Sequence, residues 1–134
     1  MSCVFCDIVN KKIPAFVVAE NKNAIAFLDI NPIADGHTVV ISKKHYANLR
    51  ECPDEVLSDM IKLSKEVANK ISESKLKPWG FNYLSNDQKI AGQEIMHVHF
   101  HVIPKYGKHE GFKFGIGTHY VDEVKKVYTI LNKK

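Results

Sequence analysis

The sequence predicts an α+β fold, an antiparallel sheet of five short strands with helices packed against it. Three observations carry that expectation. Short β-branched and aromatic stretches recur between clusters of Asn, Asp, Gly and Pro. One long central segment repeats its apolar residues at helical spacing, and beyond it the run His97-Val98-His99-Phe100-His101-Val102-Ile103 alternates with a period of two.

The elements follow in order. Residues 16–20 and 24–30 form two strands joined through the polar Asn21-Lys22-Asn23, a hairpin. Asn31-Pro32 ends the second, and Asp35-Gly36 turns the chain into a third strand over residues 37–42. Pro53, Asp54 and Glu55 suit the first turn of a helix, where a missing N–H costs nothing and carboxylates meet the positive dipole end. Val56, Met60, Leu63, Val67 and Ile71 then recur on one face, and the helix should end near Lys75 because Pro78 cannot continue it. Residues 79–85 make a fourth strand, 86–92 a polar loop, and 95–103 a fifth strand closed by Pro104. A glycine-bearing loop follows, and Val121, Val124, Val127, Tyr128 and Leu131 recur at helical spacing.

Composition bounds the function. With 134 residues, 45% of them hydrophobic and 25% charged, the chain suits one domain with a core of its own. No apolar run approaches the roughly 20 residues that span a bilayer, so no membrane insertion is expected. The first ten residues carry neither a basic side chain nor an apolar stretch of signal-peptide length, which points to a cytoplasmic address. Net charge is +4, but no basic run exceeds two residues, so an anionic small ligand is expected and nucleic acid is not. Three cysteines, two of them spaced as Cys3-x-x-Cys6, suggest in a reducing compartment a metal site or a redox pair before a disulfide.

In a strand, alternate residues share a face, so His97, His99 and His101 line one side while Val98, Phe100 and Val102 enter the core. Neighbouring histidines lie about 6.7 Å apart along such a strand, so one metal ion reaches two of them and hardly three. Three uses compete: a hydrogen-bonded row, a metal pair, or nucleophilic catalysis in which one imidazole attacks and its neighbours stabilise developing negative charge.

The run HVHFHVI, with Ala91-Gly92-Gln93 before it, Ala26-Phe27-Leu28-Asp29-Ile30 and Gly36-His37-Thr38-Val39-Val40-Ile41, resembles the histidine triad (HIT) family of nucleotide hydrolases and transferases, in its nucleotide-binding branch. The resemblance spans roughly residues 3–106 and divides the chain into a HIT domain, 1–106, and a C-terminal loop and helix, 107–134, packed on the same domain. It implies a HIT-like five-stranded sheet and a homodimer with a continuous ten-stranded sheet. It also implies that His99 attacks the α-phosphorus of a nucleotide, that His101 sits near the phosphate and leaving group, and that His37 supports them. Asn86 and Gln93 fall at phosphate-contacting positions, Asp29 at the ribose hydroxyls, and Phe5, Ile8, Phe27 and Ile30 around a purine base. Read without the resemblance, the four apolar residues are core, Asp29 caps a turn, and Asn86, Gln93 and His37 are ordinary loop or strand-edge residues.

Some relatives hold a structural zinc ion with a set that corresponds to Cys3, Cys6, His45 and His97. Thiolates and neutral imidazoles are the usual zinc ligands. The alternative leaves both cysteines as small apolar residues of a short helix, with His45 exposed. Glu94 departs from the pattern, since some relatives place a small hydroxyl residue there.

The expected activity is hydrolysis of a nucleoside 5'-phosphoramidate or acyl-adenylate, with AMP or an AMP derivative as the bound nucleotide and no organic cofactor. A dinucleoside polyphosphate hydrolase, a nucleotide-binding scaffold with incidental turnover, and a zinc module are the alternatives.

Overall fold

The computed structural model describes residues 3–133. Met1 and Ser2, which open the 1–106 range, and Lys134, which closes the 107–134 range, lie outside the described residues. The elements are α1 (Val4–Val9), β1 (Val17–Glu20), β2 (Ala24–Leu28), β3 (Thr38–Ser42), α2 (Asp54–Ser72), β4 (Gly80–Leu84), β5 (His99–Lys105) and α3 (Val124–Leu131), with two short 3-10 turns at Leu49–Glu51 and Lys89–Ala91. The five strands form one antiparallel sheet in the order β1-β2-β3-β5-β4, as the sequence predicts.

Two apolar layers hold the sheet. On one face, Met60, Leu63, Val67 and Ile71 of α2 pack on Ala24, Ala26, Val40, Val98, Phe100 and Val102. On the other, Phe5 of α1 packs on Ile25, Phe27, Val39 and Ile41. β2 and β3 therefore contribute to both layers by strict alternation, which is why residues 24–27 and 38–42 are buried without a break. The histidines share the face of α1, against which Phe5 rests its ring edge-on.

Boundaries differ from the expectation, by one or two residues in β1 to β4 and by more in β5 and α2. β5 begins at His99, and His97 lies in the irregular run before it, where its N–H is tied to the Ile95 carbonyl. The alternation still holds through residue 97, because Val98 donates its N–H to the Tyr46 carbonyl and enters the α2 layer. Pro104 does not close β5: the last β3 pairing is Thr38 with Val102, so beyond it β5 keeps only β4 as a partner, and a residue without an N–H is tolerated there. Pro53 is the N-cap of α2 and not its first turn, and α2 ends at Ser72.

The expected C-terminal helix is present as α3. Every described residue from 113 onward is exposed, so among the described residues nothing covers its apolar side. No helix among the described residues is long and apolar enough to cross a membrane.

Candidate active site

Backbone groups fix the protonation pattern of the histidines. His99 is buried, and its Nδ1 lies 2.7 Å from the His97 carbonyl oxygen, which can only accept. Nδ1 therefore carries the hydrogen, and Nε2 keeps a free lone pair. His37 works the other way round. Its Nδ1 accepts from the Ile33 N–H at 3.1 Å, so its hydrogen is on Nε2, which lies 2.9 Å from His101 Nδ1. His101 thus accepts on Nδ1 and retains its hydrogen on Nε2. The chain of bonds runs from one backbone amide through two imidazoles and ends in an N–H donor on His101, whose ring centre lies 5.0 Å from that of His99. Ser85, at the end of β4, donates to the His99 carbonyl at 2.7 Å and holds the strand in place.

A cleft opens over these two rings, lined by His99 and His101 and by Phe5, Ile8, Phe27 and Ile30, with the Phe5 ring directly beside His99. Asp29 lines the same cleft. One of its oxygens accepts from the Asn31 N–H at 2.8 Å, the turn cap foreseen as the plain reading, and the other lies 3.7 Å from His37 Nε2. Capping a turn and facing the cleft are thus compatible for this carboxylate. Val4, Ile13, Pro14 and Val39 extend the apolar lining and were not singled out from the sequence, because an apolar residue of a short strand or helix looks the same whether it fills a core or a cleft.

Asn86 and Gln93 sit differently. Gln93 is fully buried; its amide nitrogen donates to the Ala47 and Ile95 carbonyls at 2.6 and 3.0 Å, and its oxygen accepts from the Gln88 N–H at 2.9 Å. All its hydrogen-bonding groups face protein, so it braces the loop from 88 to 95. Asn86 donates to the Gly92 carbonyl at 3.3 Å and stands behind that glycine, which lines the cleft. Gly92 has φ +107°, and a Cβ there would come within 3.0 Å of the Asn86 amide, so only glycine fits. Neither side chain lines the cleft.

On the far side of His99, Cys3, Cys6, His45 and His97 converge, their ligand atoms all within 4.8 Å of one another. The Cys3 and Cys6 sulfurs are 3.4 and 3.5 Å from His97 Nδ1, Cys6 is 3.3 Å from His45 Nδ1, and the two Nδ1 atoms are 3.2 Å apart. A tetrahedral zinc site with ordinary bond lengths has edges of about 3.3 to 3.8 Å. His97 Nε2 donates to the Ser42 carbonyl at 2.7 Å, which leaves Nδ1 as a lone pair aimed into the cluster. The donor set and its spacing fit zinc. Cys3 is also the N-cap of α1, its sulfur accepting from the Cys6 N–H at 3.3 Å, so a short helix and a metal site are one structure and not alternatives.

The family model described as HIT domain matches residues 10–108. This chain belongs to the HIT family. It is 43% identical over 114 residues to adenosine 5'-monophosphoramidase HNT1 of Saccharomyces cerevisiae, a match that covers 85% of this chain and 69% of that protein. Among solved structures, a histidine triad nucleotide-binding protein from Candida albicans superposes with a TM-score of 0.85 at 37% identity, covering 97% of this chain and 94% of the other. A zinc-bound histidine triad family protein from Mycobacterium smegmatis gives a TM-score of 0.79 at 39% identity, with 84% and 82% covered.

Burial sets the charge state of the HIT histidines. Desolvation holds His99 below the ordinary imidazole range, and desolvation together with His99 and His37 pushes His101 down to about 4. His37 is lowered by the same cause, against the pull of Asp29. Asp29, His37 and His101 also lie close enough to hold an ion. The Ile33 N–H argues against it, because a metal on His37 Nε2 would drive the hydrogen to Nδ1, where it would face that amide donor to donor.

The depressed His101 value predicts a pH dependence of stability. The unfolded chain takes up this proton near the ordinary 6.5 and the folded one only near 4, so below 6.5 the unfolded state binds more protons and stability rises with pH. The His101 contribution is complete above that range and is lost as pH falls towards 4. Urea unfolding across this window should show a shallower fall for His101→Gln than for the parent chain. Equal slopes would remove His101 as a source.

Proposed function

We propose that this HIT chain is a hydrolase of nucleoside 5'-phosphoramidates or acyl-adenylates, AMP derivatives foremost, acting through a nucleotide held covalently on His99. The observation that carries it is the tautomer lock, which leaves a free Nε2 lone pair on His99 beside an N–H on His101 in one cleft. The likeness to a named adenosine 5'-monophosphoramidase supports the substrate class.

In this reading the base lies among Phe5, Ile8, Phe27 and Ile30, and the Asp29 carboxylate accepts from the ribose hydroxyls. His99 Nε2 bonds to the α-phosphorus in line as the P–N bond breaks, and the departing amine takes its proton from solvent at the open mouth of the cleft. His101 Nε2–H donates to a phosphoryl oxygen, and His37 holds that hydrogen in place. Water then attacks the same phosphorus, the Nε2–P bond breaks, and AMP leaves with His99 neutral again. Asn86 and Gln93 serve this step by setting the loop that carries Gly92.

Cys3, Cys6, His45 and His97 would hold a structural zinc ion. All four positions are filled by protein, so the ion supplies cross-linking and no chemistry at phosphorus. A homodimer belongs to the same proposal: β4 is an edge of the sheet, with Trp79 and Tyr83 exposed on and beside it, and two copies joined there would continue the sheet to ten strands. Such an assembly also gives the extension, 107–134, a surface on which to pack the exposed Val124, Tyr128 and Leu131 of α3. A cytoplasmic address remains part of this reading.

The test is AMP release from adenosine 5'-phosphoramidate and from diadenosine tetraphosphate. Release from the first, lost in His99→Ala, is the expected result. Release from the second alone would replace the reading with a polyphosphate hydrolase, and release from neither would leave a binding protein.

A further inference from the structure

The cleft has an unusual charge for a phosphate site. Apart from histidine, the charged side chains that line it are Asp29 and Glu94, both acids, in a chain whose net charge is +4. Among the described residues no lysine or arginine lines it. Asp29 belongs to the end that holds the ribose and is partly engaged with the Asn31 N–H. Glu94 stands in the loop between Gly92 and His97 and lines the cleft with Gly92, Ile95, His99 and His101. Its side chain is exposed at the mouth of the cleft, and its negative charge is felt at the buried His99 ring. With the base among the apolar residues and the ribose on Asp29, as proposed above, Glu94 is the charged side chain left to meet the group expelled from phosphorus.

We infer that Glu94 selects the leaving group by charge, favouring AMP joined through nitrogen to an amine that carries a second, cationic group, and disfavouring anionic leaving groups such as polyphosphate or an amino acid carboxylate. This inference rests on the proposed phosphoramidate hydrolysis and names its substrate class. The physical cause is Coulombic. A carboxylate there attracts a cationic tail and repels an anionic one, in a cleft that Phe5 and Ile95 also line and where no described lysine or arginine offsets it. A polyphosphate leaving group has several negative charges to place where the charged side chains of the described lining, histidine apart, are both acids.

The experiment uses AMP linked through a P–N bond to butylamine, putrescine or γ-aminobutyrate. These leaving groups have chains of matching length, each leaves as a primary alkylamine, and their tails are neutral, cationic and anionic. The full chain should show kcat/KM in the order putrescine, butylamine, γ-aminobutyrate, with about tenfold between the ends, the size expected of one exposed carboxylate that attracts the first tail and repels the last. Glu94→Gln should reduce that spread to about twofold, Glu94→Lys should reverse its order, and added salt should compress it. Glu94 is exposed, so neither variant disturbs the core. Equal rates on the three substrates, or a spread that survives in Glu94→Gln, would overturn the inference while leaving phosphoramidate hydrolysis intact. AMP release from none of the three would overturn the hydrolase reading and the inference with it.

Discussion

His99→Ala is expected to lower AMP release from adenosine 5'-phosphoramidate by about a thousandfold or more, the scale of losing a nucleophile whose neighbours cannot replace it. His101 cannot take over, because its Nδ1 is occupied by His37 and its Nε2 carries hydrogen. His97 cannot either, since it is fully buried and its Nδ1 faces the cysteines. The variant gives up the Nδ1–H bond to the His97 carbonyl, a cost of about 1 to 3 kcal/mol that a domain of this size can absorb. AMP binding, measured by equilibrium dialysis, should stay within about fivefold, because the base slot and Asp29 are untouched. Unchanged release would take His99 out of its role.

Removing the metal should produce the second large effect. The thiols of Cys3 and Cys6 lie against buried His97, and without a cation burial and the neighbouring Cys3 push the Cys6 thiol up to about 11. A divalent cation reverses that preference and ties α1 to the sheet. Chelation, or Cys6→Ser, should therefore lower Tm by about 10 °C, which for a domain of this size corresponds to about 2 to 4 kcal/mol. The effect should reach the nucleotide as well. Phe5 on α1 sits 5.1 Å, ring centre to ring centre, from His99, and Ile8 lines the cleft, so KM for the phosphoramidate should rise more than kcat falls. A purified protein that lacks zinc and whose Tm ignores chelators would show that the four ligands stand together without binding a metal.

Much of this was legible before the structure. The sheet was, because each strand of residues 16–42 is short, apolar and bounded by turn residues, and α2 was, because its five core positions repeat at one spacing. The shared face of His97, His99 and His101 followed from alternation alone, although His97 lies outside the strand. α1 entered only as the short helix of the alternative to a zinc site, since six residues are too few to show a helical period; Phe5 packing and the Cys3 cap hold it. The phosphate-contacting position of Gln93 came from the resemblance, and the sequence alone does not reveal where the bonds of a loop amide go. Its partners, Ala47 and Gln88, are set by the fold.

The tautomers were the least legible part and carry the most chemistry. Which nitrogen of His99 is free depends on the His97 carbonyl, and which nitrogen of His101 donates depends on the Ile33 amide, 68 residues away in the chain. Backbone groups have no sequence signature. Amphipathic α3 was legible as a helix, but its spacing says nothing about what covers it.

The central claim is that phosphorus passes through a bond to His99 Nε2, and stereochemistry at the α-phosphorus tests it most directly. The measurement uses a single diastereomer of the adenosine 5'-thiophosphoramidate, hydrolysed in oxygen-18 water, with the configuration of the product read by phosphorus NMR. Two in-line displacements, first by His99 and then by water, predict net retention. Net inversion would mean that water attacks the substrate directly, and would contradict the account.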